Sequence, residues 1–156
     1  MRTVVLASIL GIITLLGNGC AALKTAAGRP DATTAEIVAE YLPQIETASY
    51  LIAKAVLTYA VSPEDATHKA NYLCTLWPLV NSLTDGKTPV KPAALESAIQ
   101  LWMPAKAHWT DFGTAIVGVY QGFYGRFNPD AKLSLQVLNA IAAGANRAAV
   151  EILASK

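Results

Sequence analysis

Residues 33–60 read TTAEIVAEYLPQIETASYLIAKAVLTYA, and the fold follows from this stretch. Thr33 and Glu36 have the spacing of a capping box, in which a hydroxyl and a carboxylate satisfy the first free amides of a helix. Val38, Leu42, Ile45, Ile52, Val56 and Tyr59 then recur at helical spacing, while Glu36, Glu40 and Glu46 fall mostly elsewhere around the cylinder. The pattern predicts an amphipathic helix to about Ala60. Pro43 lies inside it, has no amide to donate, and is expected to kink it.

The same grammar repeats downstream. Ser62-Pro63-Glu64-Asp65 supplies a cap, a proline for the first turn and acids against the helix dipole. Ala66, Ala70, Leu73, Trp77, Val80 and Leu83 make one stripe, which Asp85-Gly86 stops. Pro92 opens a shorter helix carrying Leu95, Ile99 and Trp102, interrupted at Pro104. A further helix is expected from about Ala105 to Arg126. Asn128-Pro129-Asp130 makes the last turn, and the final helix shows Leu138, Ile141, Ala145 and Ile152 on one side. No stretch alternates as a strand would. The expected fold class is therefore all-α, with an N-terminal hydrophobic signal helix followed by a compact bundle of about five helices.

Two rows of small residues bear on packing. Thr114, Gly118 and Gly122 repeat every fourth residue, as do Ala140, Gly144 and Ala148. Small faces let helix backbones approach closely, so the last two helices, joined by a short turn, are expected to form the tightest pair.

Upstream of this domain the chain changes character. Met1-Arg2 is basic, Thr3–Leu23 carries no charge, and the segment closes on Leu16-Gly17-Asn18-Gly19-Cys20-Ala21-Ala22. A basic start, an apolar middle and a small-residue exit describe a secretory signal. The placement of Cys20 after Gly19 resembles the signal peptides of bacterial lipoproteins, although Gly17 and Asn18 depart from the usual residues. The resemblance covers only about the first twenty residues. It implies a signal peptide at 1–19, lipidation at Cys20, a tether at 20–32 and the helical domain at 33–156. Ala21, rather than aspartate, implies passage to the outer membrane where the source has two membranes. Cleavage at another small-x-small site, or retention as a membrane anchor, is also open, since about 20 apolar residues span a bilayer. Anchoring would set Lys24 and Arg29 against the positive-inside preference. If Cys20 stays unmodified in an oxidising compartment, a bridge to Cys74 is open.

Composition narrows the function. Of 156 residues, 53% are hydrophobic and only 15% charged, room for one domain with an apolar leader and an alanine-rich core. A chain beginning at Cys20 balances at eleven basic and eleven acidic residues, which argues against nucleic acid as a partner. His68 and His108 stand near Glu64, Asp65 and Asp111, but no motif supplies the three or four ligands of a metal site. There is no phosphate loop and no nucleophile elbow, so we assign no catalytic, cofactor-binding or metal-ligating residues.

One cluster invites a binding role. Trp109, Phe112, Ile116, Val119 and Phe123 share a face expected in the core, whereas Tyr120, Tyr124 and Phe127 fall on another side. That side is either a second buried face or, if exposed, a candidate interaction patch for a protein, glycan or lipid headgroup. The leading expectation is an exported, lipid-anchored envelope protein, periplasm-facing, acting as a non-enzymatic interaction module with an envelope protein partner. Two alternatives stand beside it. One is a periplasmic carrier of a small apolar or aromatic ligand in a cavity lined by Trp77, Trp102 and Phe112; the other is a phage- or plasmid-encoded exclusion or lysis lipoprotein.

Overall fold

Three of the helices begin where a side chain satisfies one of the first amides. The structure, a computed structural model, describes residues 31–58, 62–102 and 107–155. Helix α1 (Thr34–Thr58) opens on the expected box: Glu36 N–H donates to Thr33 Oγ1 at 3.3 Å, and Thr33 N–H donates to Glu36 Oε2 at 2.7 Å. Helix α2 (Pro63–Cys74) is capped by Ser62, whose Oγ accepts from Asp65 N–H at 3.1 Å. Helices α3 (Leu76–Ser82), α4 (Pro92–Trp102) and α5 (Ala107–Phe127) follow. Asn128, with φ +40°, takes the left-handed position that ends α5. Asp130 Oδ1 then accepts from Leu133 N–H at 2.8 Å to start α6 (Ala131–Ala154). Among the described residues there is no strand.

The helix expected through Pro43 is present, and the one after it differs from expectation locally. Pro43 lies within an uninterrupted α1. It is exposed, as is Ala39, so the carbonyl that loses its amide partner faces water. The single helix expected over residues 62–83 is broken by a turn at Thr75. Past that turn Leu76 and Val80 take the buried places, and Trp77 is left 43% exposed.

The largest pairing joins helices from opposite ends of the domain. α1 and α6 pack along much of their length, and they run parallel. Ser49 Oγ donates to the Ile141 carbonyl at 2.6 Å, Arg147 lies over the Tyr50 ring, and Lys54 meets Glu151 at 3.0 Å. Residue numbers therefore rise together along both helices. At the crossing Gly144 sits on the α1 backbone. A Cβ there would overlap the Glu46 carbonyl and come within 2.7 Å of Tyr50 N and 2.9 Å of Ser49 Cβ. Ala148, one turn on along the same face, and Ala53 of α1 are also fully buried.

This corrects the expected pairing of α5 with α6. A short turn makes two helices neighbours in sequence but does not choose the faces they bury. α6 is enclosed mainly by α1, α2 and α3, and α5 packs chiefly on α4 and α1. The small row of α6 is spent on α1. On α5, Thr114 and Gly122 are exposed, and a Cβ at Gly118 or Gly122 would meet nothing within 4 Å.

The remaining core is closed by Leu73, Leu76, Val80, Leu95, Ile99, Phe112, Ile116, Phe123, Val137, Leu138 and Ile141. By length and composition α6 is the one helix among the described residues that could cross a membrane. Its packing against three neighbours is that of a core helix.

The glycines separate by context. Gly144→Ala should force α1 and α6 apart and cost about 2 kcal/mol or more. Gly122→Ala, in open space, should gain about 0.5–1 kcal/mol by restricting the unfolded chain. Urea unfolding of the two variants measures both, and equal effects would contradict the packing described.

Candidate interaction surface

Of the two places open to the second aromatic side, the structure takes the buried one. Tyr120 is fully buried, Phe127 is 8% exposed, and Tyr124 is partly buried against the core. The three do not form an exposed patch, because α5 is covered on both aromatic sides. Tyr120 packs on Tyr124 and Phe123, and Phe123 packs on Phe127, with ring centroids 5.2–6.2 Å apart. Cys20, the expected lipidation site, lies outside the described residues.

Tyr120 does have a task. Its hydroxyl is 2.6 Å from the Val90 carbonyl and 2.7 Å from Ser134 Oγ, which in turn is 3.0 Å from Val90 N. A carbonyl only accepts and an amide only donates, so every proton in this cycle is fixed. Val90 N–H donates to Ser134, Ser134 O–H donates to Tyr120, and Tyr120 O–H donates back to the Val90 carbonyl. Burial pushes the Tyr120 phenol above the usual tyrosine range, which keeps the proton the cycle needs. The ring clamps the 83–91 loop onto α5 and α6.

Several polar side chains elsewhere are occupied with one another. Lys69, 4% exposed, reaches Asp65 Oδ2 at 2.6 Å. At the α1–α6 seam Lys54 donates to Tyr50 Oη at 2.7 Å, and Tyr50 O–H donates to Glu151 Oε2 at 2.8 Å. These bonds, Tyr50 first and then Lys54, hold the Glu151 carboxyl below the usual carboxylate range. His68 is exposed, 3.9 Å from Glu64. The side chain of His108 lies outside the described residues. Among the described residues no three His, Cys, Asp or Glu side chains converge as a metal site would require. Cys74 is partly buried, and burial pushes its thiol up, toward the unreactive protonated form.

What sequence reading missed lies at the Thr75 break. Trp102 closes α4 and donates its indole N–H to Thr75 Oγ1 at 2.7 Å, and its ring stands 5.3 Å from that of Tyr72. Leu101 is 89% exposed, Trp77 43% and Tyr72 39%. A helix wheel places Trp77 inward, since it assumes unbroken phase across Thr75 and sees no competition from Leu76, whereas Trp102, also placed inward, is partly buried against the core. Trp77 on the surface and Phe112 in the core, 1% exposed, do not share the interior that the ligand-carrier expectation requires. Leu51 and Val150, also exposed, stand singly and need no functional account.

Comparison with protein families, curated proteins and solved structures finds no match to this chain.

Two measurements check the polar geometry. Tyr120→Phe should lower stability by about 1–3 kcal/mol, because it strands a buried carbonyl and a hydroxyl. Glu151→Gln should lower Tm at neutral pH. A carboxyl depressed in the folded state contributes stability above its ordinary range and loses it as pH falls through the depressed value. The difference from wild type should therefore shrink on acidification, and a gap that persists at low pH would contradict the Tyr50–Lys54–Glu151 contacts.

Proposed function

We propose that this is an exported, lipid-anchored envelope protein whose helical domain serves as a non-enzymatic interaction module. The observation that carries the proposal is the charge-free run closing on Gly19-Cys20, placed upstream of a helical domain that starts at Thr34. The signal peptide ends at Gly19, Cys20 takes the lipid, and residues 20–32 tether the domain on the periplasmic side. Where the source has two membranes, Ala21 directs it to the outer one.

The domain's chemistry supports an interaction role. The polar groups described above are engaged in caps, seams and clamps. Tyr72 and Trp77, on either side of Thr75, and Leu101 are large apolar side chains left exposed, of the kind contact surfaces favour.

Intact mass of the protein purified from a bacterial membrane fraction, beside Cys20→Ser, tests this. The expected wild-type mass is that of a chain beginning at Cys20 plus a diacyl or triacyl group, absent from the variant. An unmodified chain cleaved nearby would overturn the anchor and make the protein a free periplasmic one.

A further inference from the structure

Of the eleven residues of α4 only Leu95 and Ile99 are buried, against ten of the 24 in α6. Leu101 is almost entirely in water. Among the described residues α4 packs mainly on α5 and more lightly on α3. The side chains of Ser97 and Gln100 bond within the helix, to the Ala93 carbonyl and to Glu96 Oε1. α4 takes no part in the seam where Gly144 meets Glu46, Ser49 and Tyr50.

A pin stands at each end of this helix. Val90, two residues before Pro92, donates its N–H to Ser134 Oγ and accepts the Tyr120 hydroxyl on its carbonyl. That pin is continuous with the helix. The Lys91 carbonyl accepts from Ala94 N–H at 3.0 Å and from Leu95 N–H at 3.2 Å, and Pro92 fixes the backbone between them. At the other end Trp102 donates its indole N–H to Thr75 Oγ1. The Thr75 hydroxyl spends its own proton on the Tyr72 carbonyl, 2.7 Å away, which leaves its lone pairs for Trp102. Leu95, Ile99 and Trp102 follow one another at steps of four and three, so the apolar row between the pins lies along one side of the helix.

We propose that residues 90–102 form a flap, which lifts from the domain as one piece while the α1–α6 core stays folded. Ordering a residue costs much the same backbone entropy wherever it lies in the fold, so the segment that recovers least through burial opens first. Residues 90–102 recover that cost through Val90, Leu95, Ile99, part of Trp102 and the two pins. α6 recovers it through buried residues in every turn from Leu133 to Ala149. Because each pin holds one end of a continuous helix, releasing either loosens the whole segment. Lifting the flap uncovers the part of α5 on which α4 rests, a surface that the closed domain keeps from water. The inference concerns the domain alone and stands whether or not Cys20 carries lipid.

Amide hydrogen exchange of the full chain, read by mass spectrometry on peptides covering 91–102 and 141–149, tests this. In the wild type, 91–102 should exchange together and be at least about tenfold less protected than 141–149. Two variants then probe the pins from outside α4. Ser134→Ala removes the acceptor of the Val90 N–H, and Thr75→Val removes the acceptor of the Trp102 indole. Each should speed exchange across all of 91–102 by about five- to tenfold, at the far end as well as the near one. Protection of 91–102 equal to that of 141–149 would overturn the proposal, since the segment would then open only when the whole domain unfolds. A variant that frees only the end it touches would overturn it too, because the two ends would then move separately. The wild-type comparison decides the first point even where a variant does not fold.

Discussion

Gly144 against the α1 backbone is the contact on which the rest of the domain depends. Without a Cβ at that position α6 settles onto Glu46, Ser49 and Tyr50, close enough for the Ser49 hydroxyl to reach the Ile141 carbonyl. Ala148, one turn further on, is fully buried on the same face. Two parallel helices gain nothing from their dipoles, which point the same way. Their association rests on close packing of small side chains, one buried hydrogen bond and the Tyr50–Lys54–Glu151 contacts at the rim. α2 and α3 then cover α6 on another side, and α4 and α5 complete the core.

Local chemistry was legible from the sequence, and so was the helix class. Thr33 with Glu36 and Ser62 with Pro63 each announce a helix start through an acceptor placed for an amide a few residues away. Such signals are complete within one turn of chain. Partner choice is not of that kind. Ser49 and Ile141 are 92 residues apart, and nothing in either helix names the other. The small row through Gly144 did signal a close approach, but the short turn at Asn128-Pro129-Asp130 suggested the wrong neighbour. The rows on α5 and α6 look alike in sequence, yet one is pressed on backbone and the other faces open space.

The aromatic residues show the same limit at finer scale. Tyr120 takes the buried of the two places open to it, and Trp77 leaves the buried place expected for it. Tyr120 goes inside because Val90 and Ser134 complete a closed cycle of hydrogen bonds around its hydroxyl, which removes the penalty of burying it. Trp77 comes out because a one-residue break at Thr75 resets the helical phase and Leu76 claims the core. Neither the cycle nor the break is a property of one helix read alone. The exposure of Trp77 beside Thr75 therefore became visible only in the folded chain.

The parallel register of α1 and α6 also fixes where the ends of the domain lie. With Lys54 level with Glu151, Thr34 stands level with the start of α6. The 24 residues of α6 then carry the chain about 36 Å away at 1.5 Å per residue. Joining the two ends to make a circular permutant would need a linker as long as the domain itself. A probe fused after Ala154 would report from the pole opposite the one where α1 begins.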